Sequence, residues 1–344
     1  MEQDTSFSQL FHHCVKVACH DGVYDPQRFS DTMLAFYSGI DEAKAIRSRC
    51  AAGITMECVT DESEVAFSYT CRAFCRDIVA FDFFENDVFM TTVTEPERSP
   101  SGRIRYQKRT QGRVKLTIFL PQCVHVGISD IFMGQWSPVP EAPERILFLG
   151  DSITQGMTVS SPSQAYPLLI SRFLGRDYLN QGVGGYVFDP ASLREVHTLH
   201  ATSVVVAYGT NDYHRITLGQ LSPDKFRRNV EAYLAKLIHT FPEAAITVLS
   251  PIWRVDCTEE NRPQFQQVCD TVKACACARG LQVIHGMTVI GHDERLYVDG
   301  IHPNDWGANM MAMNILAGLS SLRKGQSPQN RQSANGTAAE PPRL

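Results

Sequence analysis

Arg145-Ile146-Leu147-Phe148-Leu149-Gly150-Asp151-Ser152-Ile153-Thr154-Gln155-Gly156 is the stretch that decides the fold class of this chain. Its opening residues form a short apolar run that reads as a buried strand, and the segment 162–174 beyond the turn reads as a helix. A small, flexible turn carrying a serine at the carboxyl end of a central strand is where open α/β sheets keep their chemistry. Gly-Asp-Ser is also ordinary loop composition, and Ser152 alone would serve as well as a helix N-cap. The turn gains its meaning from what surrounds it.

Downstream, short apolar runs without alternation cover 146–149, 178–180, 203–208, 245–250 and 281–285. Amphipathic stretches over 162–174, 223–240, 262–279 and 305–319 separate them. That pattern predicts a parallel sheet covered on both faces, a flavodoxin-like three-layer α/β/α unit over 145–321. Upstream, from about 51 to 133, the period changes to two. Examples are Ile54-Thr55-Met56-Glu57-Cys58-Val59, Val65-Ala66-Phe67-Ser68-Tyr69 and Val88-Phe89-Met90-Thr91-Thr92-Val93, with polar turns such as Thr60-Asp61-Glu62-Ser63 between them. Short strands at this spacing predict an all-β sandwich of jelly-roll type within 1–133. For residues 1–50 helix and extended lead-in both stay open. Pro138, Pro140 and Pro143 mark 134–144 as a linker. From 322 to 344 the chain is too polar to bury anything, and disorder is expected there.

A length of 344 residues accommodates two such domains. A formal net charge of -5 without a clustered basic face speaks against a nucleic-acid partner. No apolar stretch approaches the roughly 18–20 residues of a membrane span. The N-terminal Met1-Glu2-Gln3-Asp4-Thr5 lacks the basic-then-apolar pattern of a signal peptide, so cytoplasmic residence is the expectation. The 11 cysteines are scattered through apolar segments and include no Cys-x-x-Cys, which reads as reduced thiols acting as small hydrophobes. No metal or other cofactor is expected. His12-His13 and the His197/His200 pair lack an obvious carboxylate or cysteine partner and read as solvated helix faces.

Three later segments supply what a nucleophilic serine lacks. Asn180-Gln181-Gly182-Val183-Gly184-Gly185-Tyr186 ends the second predicted strand, and Gly209-Thr210-Asn211-Asp212 ends the third. Asp299-Gly300-Ile301-His302-Pro303 lies near the end of the unit. In a parallel sheet these strand ends share one edge, so a serine, a glycine-rich loop, an asparagine and an Asp-x-x-His would meet in one crevice.

The four segments, in this order, resemble the signature blocks of the SGNH hydrolases, also called GDSL-type esterases, over about residues 145–319. The resemblance implies that Ser152 is the nucleophile, His302 its base and Asp299 the carboxylate that orients the base. It implies an oxyanion hole made of the Ser152 and Gly185 backbone N–H groups and the Asn211 side chain, although Gly182 and Gly184 leave the glycine register open. These residue types suit acyl transfer: a hydroxyl attacks only when a base takes its proton, and the carboxylate fixes the tautomer of that base. Asp151 reads as a turn-ordering residue and Asp212 as a helix-start or loop carboxylate. Pro303 restricts His302 to extended backbone, and Asn304 can cap the next helix. Tyr186, Tyr213, His214 and Trp253 follow the strand ends and are candidate substrate contacts. A β-sandwich before the catalytic unit also resembles some SGNH esterases that deacetylate carbohydrates.

The expected activity is therefore hydrolysis of short acyl esters, acetyl foremost, on carbohydrate or another small-molecule alcohol. Two alternatives stay open: an acyltransferase using the same acyl-enzyme, and a glycan-binding protein with a vestigial hydrolase domain. A homo-oligomer formed through an exposed sandwich face is also open.

Overall fold

The computed structural model describes residues 7–325. The first part of the chain carries β1 (Phe11–His12), β2 (Lys16–His20), β3 (Val23–Gln27), α1 (Asp31–Ser38) and α2 (Glu42–Arg49). Then come β4 (Thr55–Thr60), β5 (Glu64–Phe74), β6 (Ala80–Glu85), β7 (Val88–Thr94), β8 (Ser101–Gln107), β9 (Val114–Phe119), β10 (Val124–Phe132) and β11 (Trp136–Ser137). The remainder alternates: β12 (Arg145–Gly150), α3 (Ser152–Gln155), α4 (Tyr166–Leu174), β13 (Asp177–Gly182), β14 (Ser203–Ala207), α5 (Thr210–Thr217) and α6 (Pro223–Thr240). It closes with β15 (Ala245–Leu249), α7 (Arg262–Cys277), β16 (Gln282–Ile284) and α8 (Asp305–Gly325).

Two antiparallel sheets, ordered β1-β4-β9-β6-β7 (with β11 on β4) and β2-β3-β10-β5-β8, enclose a core that includes Phe67, Phe81, Phe83, Tyr106 and Ile118. The third sheet is wholly parallel, in the order β13-β12-β14-β15-β16. Its order reverses between β12 and β14, and ligand crevices form at such a switch point, beyond the carboxyl ends of the strands. The predicted α/β class and the β-rich region before it are both observed. Of the eleven cysteines none is bonded to another.

The first antiparallel sheet has no solvent face where it meets the parallel-sheet unit. Phe84 of β6 and Phe119 of β9 bury with Ile146, Phe148 and Tyr166 in one cluster. All six residues of β6 are consequently buried, so its sequence Ala-Phe-Asp-Phe-Phe-Glu shows no alternation and was not predicted as a strand. Its two carboxylates are satisfied inside: Asp82 accepts from Thr92 Oγ1 (2.6 Å) and the Ser163 N–H (2.8 Å), and Glu85 from the Tyr106 hydroxyl (2.7 Å).

The ambiguity over residues 1–50 resolves into both readings, strands first and then a helical pair. Ser30 Oγ accepts the Met33 N–H to start α1, and Asp41 accepts the Lys44 N–H at 2.7 Å to start α2. Phe29, Met33, Leu34 and Tyr37 then enter the core of the parallel sheet beside Leu147, Leu179, Tyr186 and Phe188. This early segment thus packs with a unit that begins about a hundred residues later. Segment 134–144, expected as a linker, also supplies β11. The predicted helix over 162–174 is divided: a 3-10 turn at Pro162–Gln164 precedes α4. The polar tail expected to be disordered begins in the last turn of α8 and from residue 326 lies outside the described residues.

Candidate active site

β12 ends at Gly150, and Asp151 accepts the Ile153 N–H at 3.0 Å to cap the single turn of α3, which places Ser152 at its first position. The loop before α8 returns on itself, because the Val298 N–H donates to the His302 carbonyl at 2.9 Å and Tyr297 bridges Pro303. Asn304 accepts the Gly307 N–H at 3.1 Å, the cap expected from its position. These two turns bring Ser152 Oγ and His302 Nε2 to 2.7 Å across 150 residues of chain. His302 Nδ1 lies 2.8 and 2.9 Å from the two oxygens of Asp299, which also accepts the His302 backbone N–H at 3.0 Å. A carboxylate is an acceptor only, so Nδ1 carries the proton and Nε2 presents its lone pair to the serine hydroxyl.

The electrostatics favour that state. Burial lowers the His302 pKa, the nearby Arg76 and Arg254 charges lower it further, and together they outweigh the pull of Asp299. Burial works to raise the Asp299 carboxyl, but hydrogen bonds from His302 and the His302 charge hold it below the ordinary value. Behind Ser152, Asp151 is pushed up to about 7 by burial, against the Ile153 N–H and Arg254. Asp212 is likewise raised to about 7, mainly by burial.

The glycine loop after β13 is held close to the serine turn. A side chain at Gly182 would place its Cβ 2.4 Å from the Gln155 nitrogen, so only glycine lets the two turns touch. The three glycine N–H groups differ in whether they are satisfied. Gly182 donates to Asn180 Oδ1 at 3.0 Å and Gly184 to Gln155 Oε1 at 2.9 Å. Gly185, at φ +73°, has no acceptor for its N–H among the described residues, and neither has Ser152 at the first position of α3. Asn211 Nδ2 donates to the Tyr186 carbonyl at 3.0 Å and to Asp151 Oδ2 at 3.3 Å. For Asn211 to serve an oxyanion, the longer of these bonds must be released.

Tyr186 and Tyr213 lie behind this surface. Each is 3% exposed; the Tyr186 hydroxyl donates to Asp189 at 2.7 Å, and Tyr213 packs edge-on against Phe265. Trp253 is half-buried and stacks on His292 at 5.1 Å between ring centroids, and His214 is exposed. His13, expected on a solvated helix face, is instead largely covered just beyond β1, with its side chain 13% exposed. Its Nδ1 lies 2.7 Å from Asp177 and its Nε2 3.2 Å from Glu57. No cluster able to hold a metal ion occurs among the described residues. A cavity of about 610 Å³, lined by His13, Arg172, Asp177 and Tyr178 among others, opens at the opposite edge of the parallel sheet and does not reach Ser152.

Sequence reasoning missed the residues that brace the loop from the N-terminal part of the chain. Arg28, 1% exposed, donates to the carbonyls of Asn180 (2.7 Å) and Gly182 (2.8 Å), and also to those of Cys50 and Arg47. Arg47 Nη1 donates to the Gly184 carbonyl at 2.9 Å, and Lys44 stands beside it. Arg76 reaches Asp299 at 3.7 Å. None has a motif around it; only the capping pattern of α2 could have pointed to that helix.

Residues 148–310 match the family model of the GDSL-like lipase/acylhydrolase family. No curated protein matches the chain at the level of sequence. Among solved structures, it is similar to the salicylyl-acyltransferase SsfX3 from a tetracycline biosynthetic pathway, with a TM-score of 0.78 at 17% identity over 91% of this chain and 94% of that one. A Bacteroides ovatus protein assigned as a GDSL-like lipase follows, with a TM-score of 0.70 at 18% identity over 92% and 96% of the two chains. A family two carbohydrate esterase from Clostridium thermocellum, solved with cellohexaose, gives 0.62 at 14% identity over 80% and 94%. At these identities the likeness is one of fold.

Proposed function

We propose that residues 148–310, which match the model of the GDSL-like lipase/acylhydrolase family, form a serine esterase that removes short acyl groups, acetyl foremost, from a carbohydrate or similar small alcohol. The observation that carries the reading is the line Ser152 Oγ–His302 Nε2–Asp299, at 2.7 and 2.8 Å. Ser152 Oγ attacks the ester carbonyl carbon while its proton passes to His302 Nε2. The free N–H groups of Ser152 and Gly185, joined by the Asn211 amide, receive the negative charge that develops on the carbonyl oxygen. Collapse breaks the bond to the alcohol, which leaves with the proton from His302. Water then attacks the acyl-serine, gives a proton to His302, and the carboxylic acid departs as Ser152 regains its hydrogen.

Among residues 182–185, Gly185 is favoured as the oxyanion donor because its N–H alone of the three glycines lacks an acceptor. A carbohydrate alcohol takes its support from the family two carbohydrate esterase of similar fold, which was solved with an oligosaccharide. Transfer of the acyl group to an alcohol acceptor is the second reading, supported by the likeness of fold to an acyltransferase over nearly the whole chain. The intact serine, histidine and aspartate argue against a purely glycan-binding role. Ser152→Ala should reduce turnover of 4-nitrophenyl acetate by about 10⁴-fold or more; wild-type turnover in that variant would refute the assignment. Product analysis with and without an added alcohol separates hydrolysis from transfer.

A further inference from the structure

We propose that the crevice selects esters bearing an anionic group, a carboxylate or phosphate, held by Lys44, Arg47 and Arg215 beside the oxyanion glycine. The proposal rests on the reading of Ser152 as nucleophile and names the substrate class of that site.

Lys44 and Arg47 are three residues apart on α2 and therefore share a face. That face is turned to Gly185: a Cβ built there would lie 3.0 Å from Arg47 Nη1 and 3.2 Å from Lys44 Nζ. Two cationic tips thus border the residue whose N–H is free. Arg215 is four residues after Asn211 on α5, so it leaves the helix from the side that carries the asparagine. It is exposed, and its guanidinium has no hydrogen-bond or salt-bridge partner among the described residues. Its charge is near enough to Lys44 to contribute to lowering the lysine pKa, after burial and the Arg47 charge.

The compensation around these cations is thin. Lys44 is buried, yet its one carboxylate is Asp41, at 3.4 Å and with a side chain 48% exposed. The other Asp41 oxygen is occupied in capping α2. Asp212, facing Arg215 from α5, is pushed up to about 7 by burial and so carries only part of a charge near neutrality. Arg47 uses Nη1 on the Gly184 carbonyl and has further donors to offer. Burying a lysine without a full counter-charge is costly unless an anion arrives to share it. In a chain with a net charge of -5, this is a local positive field at the mouth of the reaction site. A guanidinium fork and an ammonium together suit oxygen anions.

The anion can belong to the acyl group or to the alcohol, and matched ester pairs distinguish them. The acyl pair is mono-4-nitrophenyl succinate against 4-nitrophenyl butyrate; the alcohol pair is 3-acetoxybenzoate against 3-acetoxybenzamide. The full chain should turn over the anionic member of one pair with a kcat/KM about tenfold or more above its neutral partner. Lys44→Met and Arg215→Met should each cut that anionic-to-neutral ratio severalfold or more, with Lys44→Arg restoring most of it. Because Arg215 is exposed, its variant does not depend on refolding of a buried site. Neutral partners turned over as well as the anions, or a ratio unmoved by either substitution, would overturn the subsite. Calorimetric titration of Ser152→Ala with succinate and benzoate reads the anion site independently of turnover. If no ester is cleaved but these anions bind in a Lys44-dependent way, the hydrolase reading fails and the subsite stands; no binding and no charge preference removes the subsite alone.

Discussion

The guanidinium of Arg28 donates to the carbonyl of Gly182 at 2.8 Å, although 154 residues separate them. The same side chain reaches the carbonyls of Asn180, Cys50 and Arg47 at 2.7 Å each, so one buried cation ties the end of β13 to α2. Burial lowers its pKa only to about 10, which leaves it charged at neutral pH. Arg28→Met takes a donor from the buried carbonyls of Cys50, Asn180 and Gly182, leaves the Arg47 carbonyl only its longer bond from Gln155, and should cost about 3 kcal/mol or more of stability. Urea unfolding followed by fluorescence measures this, and an unchanged midpoint would show that the tie contributes nothing.

Gln155 acts on the oxyanion loop from the serine turn. Its Oε1 accepts the Gly184 N–H at 2.9 Å, and its Nε2 donates to the Arg47 carbonyl at 3.4 Å. Loss of this acceptor lets the neighbouring Gly185 N–H drift from the carbonyl oxygen it should meet. Gln155→Ala is expected to lower kcat about 10–100-fold with a smaller change in KM, somewhat less than deletion of a donor itself. Equal kcat values in variant and native protein would mean that the loop holds its shape without Gln155.

The pH dependence follows from His302. Its pKa is lowered below 6.5 by burial, with Arg76 and Arg254 contributing. The neutral ring is the working form, so kcat/KM should rise with pH along a limb that lies below 6.5 and be level at neutrality. Arg76→Gln removes a positive charge near the ring and frees the Asp299 carboxylate from its 3.7 Å partner. Both effects favour the imidazolium, and the limb should move to higher pH. A limb that stays in place or moves down in the pH–rate profile would count against this electrostatic account.

His13 joins the first antiparallel sheet to the start of β13. Burial alone would lower its pKa, but hydrogen bonds to Asp177 and Glu57 raise it to about 9. A folded pKa above the unfolded 6.5 gives stability that is complete below 6.5 and is lost as pH rises through about 9. Glu57, held down to about 2 by His13 and Lys115 against burial, contributes the opposite way: its share is present above 4.5 and lost as pH falls through about 2. His13→Gln should cost about 3–5 kcal/mol at pH 6 by leaving buried carboxylates short of a partner. Its melting temperature should also change less between pH 6.5 and 9 than that of the native protein; parallel curves would remove His13 as the cause.

The ease of reading differed between the two kinds of sheet. In the parallel sheet β12, β14 and β15 are short, mainly apolar runs bounded by turn residues, whereas β13 carries Asp177, Asn180 and Gln181; the predicted helix over 223–240 coincides with α6. In the antiparallel region β6 escaped because it is buried on both faces, and its Asp82 and Glu85 look like surface residues until their partners are known. The four site segments were legible because turn, loop and Asp-x-x-His spacings are local. Tyr186 and Tyr213 looked like cleft residues by position, yet their rings turn into the aromatic core. Position after a strand end says which edge a residue occupies, not which way its side chain points.

By itself the sequence determined the periodicities, hence the layer types, and the short-range geometry of each chemical segment: the turn that presents Ser152 and the return of Asp299 onto His302. These depend on interactions a few residues long. Only the tertiary structure decided that Arg28, Lys44, Arg47 and Arg76 surround the glycine loop and the histidine, and that His13 sits between two buried carboxylates. Such contacts arise when sheets and helices distant in the chain stack face to face. An arginine that will meet backbone carbonyls of a remote loop carries no local signal, because its partners are peptide groups that every sequence possesses.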